Sequence, residues 1–364
     1  MSKWGKIKVS TFFENVYTSI CMYSVVPKFT KLFKHQSFSC NNIIKLKKKP
    51  CLIHVHLGPL PVWFQLFLLT AAANPQYHWL IFTEQPVTST FSENISTKVL
   101  TRKELETLIH KKTGIAVSLS NPYKVCDLKP LFGLLFEEHL QSFSWWGYCD
   151  NDIIFGRMDH FLKPEWFDQY QIISTYSGYL SGPLAFYRNT PGIKRLFTRV
   201  PAWESIIKNP SCQGFDENLR GHPAGKTLAD ILLFPFHIPE IIASDTYFLP
   251  AKKEILHQYH WRIKKRQAGK HRLYDMTDIA HVMEKSQKNT VLFTSLLASD
   301  IYFERTGLKI WEMVWDQSRL MEKITGKEML AFHFRQTKAK LREIPLPNCH
   351  NLNRFTLTNK GFHA

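Results

Sequence analysis

Two carboxylates two residues apart, Asp150 and Asp152, end the apolar run Trp146-Gly147-Tyr148-Cys149 and precede Ile153-Ile154-Phe155-Gly156. On extended backbone that spacing turns both side chains to one side. Hard divalent cations such as Mg²⁺ or Mn²⁺ take carboxylate oxygens as ligands, and a cation so held can bridge a diphosphate. The bland alternative is a polar turn joining two strands. His54 and His56, also two apart, share one face of a strand, but two histidines do not make a metal site. They read as strand-end histidines beside a ligand crevice.

Other look-alikes each lack a part. Gly221-His222-Pro223-Ala224-Gly225-Lys226-Thr227 has three residues between its glycines where a phosphate-binding loop has four, and no apolar strand leads into it. His257 and His260 lack the glutamate of a zinc protease helix. No Gly-x-Ser-x-Gly elbow occurs. The cysteines, at 21, 40, 51, 126, 149, 212 and 349, are odd in number and include no CxxC pair. That pattern argues against a disulfide framework or zinc ribbon and points to a reduced, cytosolic compartment.

The elements that must position the carboxylates can be read from apolar runs. Cys51–Gly58 reads as a strand ending in Gly and Pro, Val62–Ala73 as a helix stopped by Asn74-Pro75, and His78–Thr83 as a second strand. Thr101–Thr113 opens with Glu104 three residues after Thr101, a capping box. Lys129–Gln141 reads as a further helix, and Trp145–Ile154 as a strand running into the acidic loop. Alternating strands and helices predict an α/β fold, a mostly parallel sheet flanked by helices. In such sheets ligands bind beyond the carboxyl ends of the strands. The loops after Val55, after Phe82 and around Asp150 should therefore meet at one crevice.

The chain has 364 residues, 44% hydrophobic and 21% charged, enough to bury a sizeable core. Its net charge of +17 is concentrated. Residues 1–50 carry +9 and residues 252–272 carry +7, leaving the rest nearly neutral. Two basic patches on a neutral body suit phosphates on nucleic acid, on the lipid headgroups of an anionic membrane surface or on a nucleotide ligand. The predicted organisation is a basic extension over 1–50, an α/β body over 51–250, a basic segment with C-terminal elements completing the site over 251–345, and a tail over 346–364. The longest apolar run, Val62–Ala73, is too short to span a bilayer. Phe12–Val26 is too interrupted for a secretory signal.

The segment Asn121-Pro122-Tyr123-Lys124-Val125-Cys126-Asp127-Leu128-Lys129-Pro130, followed by Gly147-Tyr148-Cys149-Asp150-Asn151-Asp152-Ile153-Ile154-Phe155-Gly156, resembles an uncharacterised family of bacterial polysaccharide-biosynthesis glycosyltransferases of GT-A type. The resemblance continues through Gly182-Pro183-Leu184-Ala185-Phe186-Tyr187-Arg188-Asn189, Gly214-Phe215-Asp216-Glu217 and Leu330-Ala331-Phe332-His333-Phe334. It covers roughly residues 51–340 and leaves out the N-terminal extension.

The resemblance implies a GT-A-like nucleotide-diphospho-sugar transferase fold and a metal, Mn²⁺ or Mg²⁺, on Asp150 and Asp152 with His333 completing its shell. It implies a nucleotide-sugar donor, a UDP-sugar in the first instance, and a glycan or lipid-linked acceptor of surface polysaccharide synthesis. The enzyme would then be cytoplasmic and peripheral on the inner membrane's cytoplasmic face. Lys129 would meet phosphate, and Asp127 would orient it or contact the nucleoside, their alternatives being a solvated lysine and a helix cap. Glu84 after the second strand, where relatives often carry Asp, would be a nucleoside contact. Arg188 is either a sugar or phosphate contact or a surface ion pair. Inversion at the sugar needs a base near the acceptor hydroxyl, and Asp216 or Glu217 would supply it, Asp216 otherwise being a helix cap. The rivals are a metal-dependent phosphoesterase or nuclease on the same carboxylates and a nucleic-acid-binding protein on the basic patches. No nucleic-acid module signature supports the latter.

Overall fold

The computed structural model describes residues 49–87, 92–176, 180–200, 203–216, 291–294, 296–300, 311–342, 349 and 352–363. Most of the basic extension, the basic segment 252–272 and Glu217 lie outside them.

The main sheet has seven strands in the order β3-β2-β1-β4-β7-β6-β8. They are β1 (Cys51–His56), β2 (His78–Thr83), β3 (Ile95–Val99), β4 (Trp145–Cys149), β6 (Ile172–Ser174), β7 (Leu184–Arg188) and β8 (Val291–Phe293). Strands β3, β2, β1 and β4 run parallel, β7 alone opposes its neighbours, and β6 pairs parallel with β8. The sheet is therefore mixed and mostly parallel. Both faces are covered, which is why β1 reads as a nearly unbroken apolar run. Cys51, Ile53 and Val55 enter one core layer, and Leu52 joins Phe64 and Phe67 in the other.

Helix α1 spans Phe64–Ala72 and α2 spans Arg102–Thr113. Helix α2 opens on the expected capping box, with Thr101 and Glu104 each satisfying the other's backbone N–H, and closes on Gly114 at φ 75°. Strand β3 had no sequence signal. It is a half-exposed edge strand, Ile95-Ser96-Thr97-Lys98-Val99, so no apolar run marks it.

Three expectations need correcting. Lys129–Gln141 is not one helix but a succession of single turns, Lys129–Leu131, Phe132–Leu135 and Glu137–His139. Pro130 has no N–H to continue an α-helical ladder. Trp145–Ile154 is not one strand either. It breaks at the Asp150–Asp152 turn into β4 and β5 (Ile153–Phe155), and β5 belongs to a second, three-stranded sheet with β13 (Ala331–His333) and β9 (Leu297–Ser299). The presumed tail supplies β14 (Arg354–Thr358) and β15 (Gly361–His363) to an antiparallel sheet with β10 (Glu312–Asp316), β11 (Arg319–Glu322) and β12 (Lys327–Met329). Phe355, Leu357 and Phe362 are buried there, which ties these strands down.

Gly156 ends β5 where the carbonyl oxygen of Met329 and the Leu320 side chain leave no space for a Cβ. Gly156→Ala should lower stability by about 1–3 kcal/mol, the usual cost of overpacking. A urea midpoint equal to wild type would show that the neighbouring turn yields freely.

Candidate metal centre

Strand β1 lies between β2 and β4, so the chain winds outward from β1 on one side to β2 and β3 and crosses to β4 on the other. Such a switch point opens a crevice at the carboxyl ends of the strands, where open α/β sheets bind ligands. The turn Asp150-Asn151-Asp152 leaves β4 at that crevice. Asn151 reaches toward β1. Its amide donates to His54 Nε2 at 3.3 Å and His56 Nδ1 at 3.1 Å, and its Oδ1 accepts from Trp63 Nε1 at 3.3 Å. The other imidazole nitrogens donate to carbonyls, His54 Nδ1 to Cys149 at 2.9 Å and His56 Nε2 to Pro59 at 2.8 Å. A carbonyl only accepts, so these contacts assign the proton on each ring. The two histidines thus brace the acidic turn rather than bind a metal.

Burial drives the His54 pKa down to about 4, and the neighbouring His56 adds to this. The folded protein therefore excludes a proton that the unfolded chain binds near pH 6.5. His54 contributes stability that is complete above pH 6.5 and disappears as pH falls through 4, roughly 3 kcal/mol in all. Between pH 7 and 4.5 the urea midpoint of wild type should fall more steeply than that of His54→Asn, which keeps a donor but cannot titrate. Equal slopes would remove His54 as the cause.

The second sheet brings up the third ligand. In β13, His333 pairs with Ile153 of β5, and the Phe334 N–H donates to the Asp152 carbonyl at 3.0 Å. Ligand atoms of Asp150, Asp152 and His333 consequently lie within 4.8 Å of one another. His333 Nε2 is 3.3 Å from Asp152 Oδ1, Lys338 Nζ is 2.6 Å from Asp152 Oδ2, and Tyr176 Oη is 3.4 Å from His333 Nδ1. Burial opposes charge on Asp152, but His333 and Lys338 outweigh it and hold the carboxyl well below the usual range. Asp152, joined by Asp150, raises His333, again against burial and against Lys338.

Behind Asp150 sits a buried ammonium. Lys129 Nζ lies 2.7 Å from Asp150 Oδ1, 2.7 Å from Asp216 Oδ2 and 2.9 Å from the Gly182 carbonyl, with the Tyr148 ring 5.6 Å away. Burial works against its charge, yet the two carboxylates keep its pKa well above the usual lysine value. Burial also pushes Asp216 up to about 6, with Lys129 pulling the other way.

Of the residues expected at the site, Asp150, Asp152, His333, Lys129 and Asp216 come together. Asp127 does not face the crevice. It is fully buried, pairs with Lys124 Nζ at 2.8 Å and accepts from the N–H groups of Gln213 and Phe215. Its carboxylate is spent holding the 212–216 segment against the turn that carries Lys129. Glu84 stands at the carboxyl end of β2 but serves as a brace, accepting from the Gly58 N–H at 2.6 Å and ion-pairing with Arg102 at 3.3 Å. Arg188 lies at the opposite end of the sheet. Strand β7 runs antiparallel to β4, so its last residue pairs with Trp145, the first of β4. There the guanidinium donates to the carbonyls of Phe167, Asp168 and Tyr170. Lys338, Asn151 and Tyr176 were missed; Lys338 has no motif around it, and only the fold brings it to Asp152.

Two carboxylates and an imidazole form a donor set that suits a hard divalent cation, the nitrogen favouring Mn²⁺ over Mg²⁺. Fold and site define an α/β protein with a candidate divalent-metal centre at its topological switch point. The chain belongs to DUF6625, a family of unknown function, whose model matches residues 52–364. No curated protein matches it. No helix among the described residues is long and apolar enough to cross a membrane.

Proposed function

We propose that the chain is a metal-dependent glycosyltransferase with a GT-A-like fold, moving a sugar from a nucleotide-sugar donor, in the first instance a UDP-sugar, to a glycan or lipid-linked acceptor. The observation that carries this reading is the Asp150–Asp152–His333 cluster at the switch-point crevice, with its ligand atoms within 4.8 Å. A cation held there supplies charge neutralisation for a departing diphosphate. The chain's own residues set up that chemistry. Asn151 and the two histidines fix the turn, so the carboxylates need no reorganisation. Lys129 neutralises Asp150 from the buried side. Lys338, about a quarter exposed beside Asp152, is the cation best placed to receive phosphate. Asp216, with its carboxyl raised to about 6, has the affinity for protons expected of an acceptor-side base. The same task falls to Glu217 if Asp216 remains locked on Lys129. The basic segments 1–50 and 252–272 suit an anionic membrane that displays a lipid-linked acceptor.

A phosphoesterase working through two metals needs a second ligand cluster, and the described residues contain one such group. The test is a panel of nucleotide sugars screened for thermal stabilisation with and without Mn²⁺. A bound donor at one hundred times its Kd adds about 2.7 kcal/mol. The expected result is stabilisation by one nucleotide sugar only when Mn²⁺ is present, with that sugar transferred to an acceptor. Stabilisation by none of them, or equally without metal, would count against the reading.

A further inference from the structure

Among the described cysteines, Cys51, Cys149 and Cys349 are buried, while Cys126 and Cys212 are each partly open to solvent. These two are distant in sequence but neighbours in the fold, and each thiol acts on the other's ionisation. The neighbour of Cys126 enforces the meeting. Asp127 Oδ1 lies 3.8 Å from Cys212 Sγ, and the same carboxylate accepts from the N–H groups of Gln213 and Phe215 at 2.8 Å each. Lys124 anchors that carboxylate from below. The backbone that carries Cys212 is therefore held beside the one that carries Cys126.

We propose that Cys126 and Cys212 form a reversible dithiol–disulfide site, oxidised by small-molecule disulfides of the glutathione class. The Cys212 thiolate attacks one sulfur of glutathione disulfide. That S–S bond breaks, and the departing glutathione thiolate takes up the proton that Cys212 gave to solvent. Cys126 loses its proton and attacks the Cys212 sulfur in the mixed disulfide. A protein S–S bond forms, and the second glutathione leaves as thiolate to be protonated in turn. Two protein thiols are oxidised by two electrons in all, and one glutathione disulfide is reduced to two thiols. Cys212 is the better first nucleophile, because the neighbouring Cys126 lowers its pKa.

The new bond would clamp the 212–216 segment to the turn carrying Asp127 and Lys129. It would thereby hold Asp216 on Lys129, and so set one wall of the candidate centre by redox state. The pair needs neither metal nor nucleotide, so its fate is separate from that of the proposed function.

The full chain should be equilibrated in glutathione buffers of rising disulfide share, blocked with iodoacetamide and digested without reduction for mass spectrometry. The expected product is a Cys126–Cys212 cross-linked peptide, with a higher Tm that dithiothreitol reverses. Cys126→Ser should instead accumulate glutathione on Cys212. Glutathione on both thiols without a cross-link, a cross-link from either thiol to another cysteine, or no reaction at either thiol would overturn the proposal.

Discussion

Asp152→Asn should abolish Mn²⁺-dependent stabilisation by a nucleotide diphosphate while leaving a folded protein. Asparagine keeps the shape of the side chain and removes the charge that faces His333 and Lys338. Losing an outer partner of a metal ligand commonly costs about 10–100-fold in metal affinity, and losing the ligand's charge should cost more. His333→Ala should weaken Mn²⁺ binding to a smaller extent, since two carboxylates remain. Lys338→Met gives the sharper signature. The Lys338 ammonium competes with a cation for the Asp152 carboxylate, so its removal should strengthen binding of Mn²⁺ alone and weaken binding of the nucleotide. Isothermal titration with Mn²⁺, then with nucleotide at saturating Mn²⁺, separates the two effects. Unchanged Mn²⁺ binding in Asp152→Asn would reduce the cluster to a turn between strands.

The second large effect is on stability. Lys129 is buried between Asp150 and Asp216, with their side chains 28% and 6% exposed. Lys129→Met fills the space but strands two carboxylates, and breaking a buried pair in this way costs about 3–5 kcal/mol. Adding Asp216→Asn removes one of the stranded charges. The double variant should therefore be more stable than Lys129→Met alone, a coupling that denaturant melts of the four proteins measure. Strict additivity, or a Lys129→Met protein as stable as wild type, would show that Lys129 is not balancing those charges.

Three of the residues expected to contact ligand are used by the fold as braces. The resemblance implies ligand contacts for Asp127, Glu84 and Arg188, with a helix cap and a surface ion pair as the alternatives for Asp127 and Arg188. In the fold each is already satisfied, Asp127 by Lys124 and two backbone N–H groups, Glu84 by Gly58 and Arg102, and Arg188 by three carbonyls. Residue type cannot distinguish a free charge from a paired one when the partner is far along the chain.

By itself the sequence determined the local elements whose signals are local. Strands β1 and β2 follow from apolar runs, α2 from its capping box, and the acidic turn from two carboxylates two apart between apolar strands. It also brought His54 and His56 to one strand face, because side chains alternate with a period of two. Only the tertiary structure decided what those elements meet. Pairing β13 with β5 carries His333 to Asp152 across about half of the chain, and Lys338 follows from the same placement. The antiparallel course of β7 sends Arg188 away from the crevice. Asn151 turned out to be the clasp between the acidic turn and β1, and the two open thiols turned out to be neighbours. Periodicity records which way a side chain leaves its own element. Strand order and register depend on the joint burial of many apolar faces, and so on contacts that no single stretch of sequence contains.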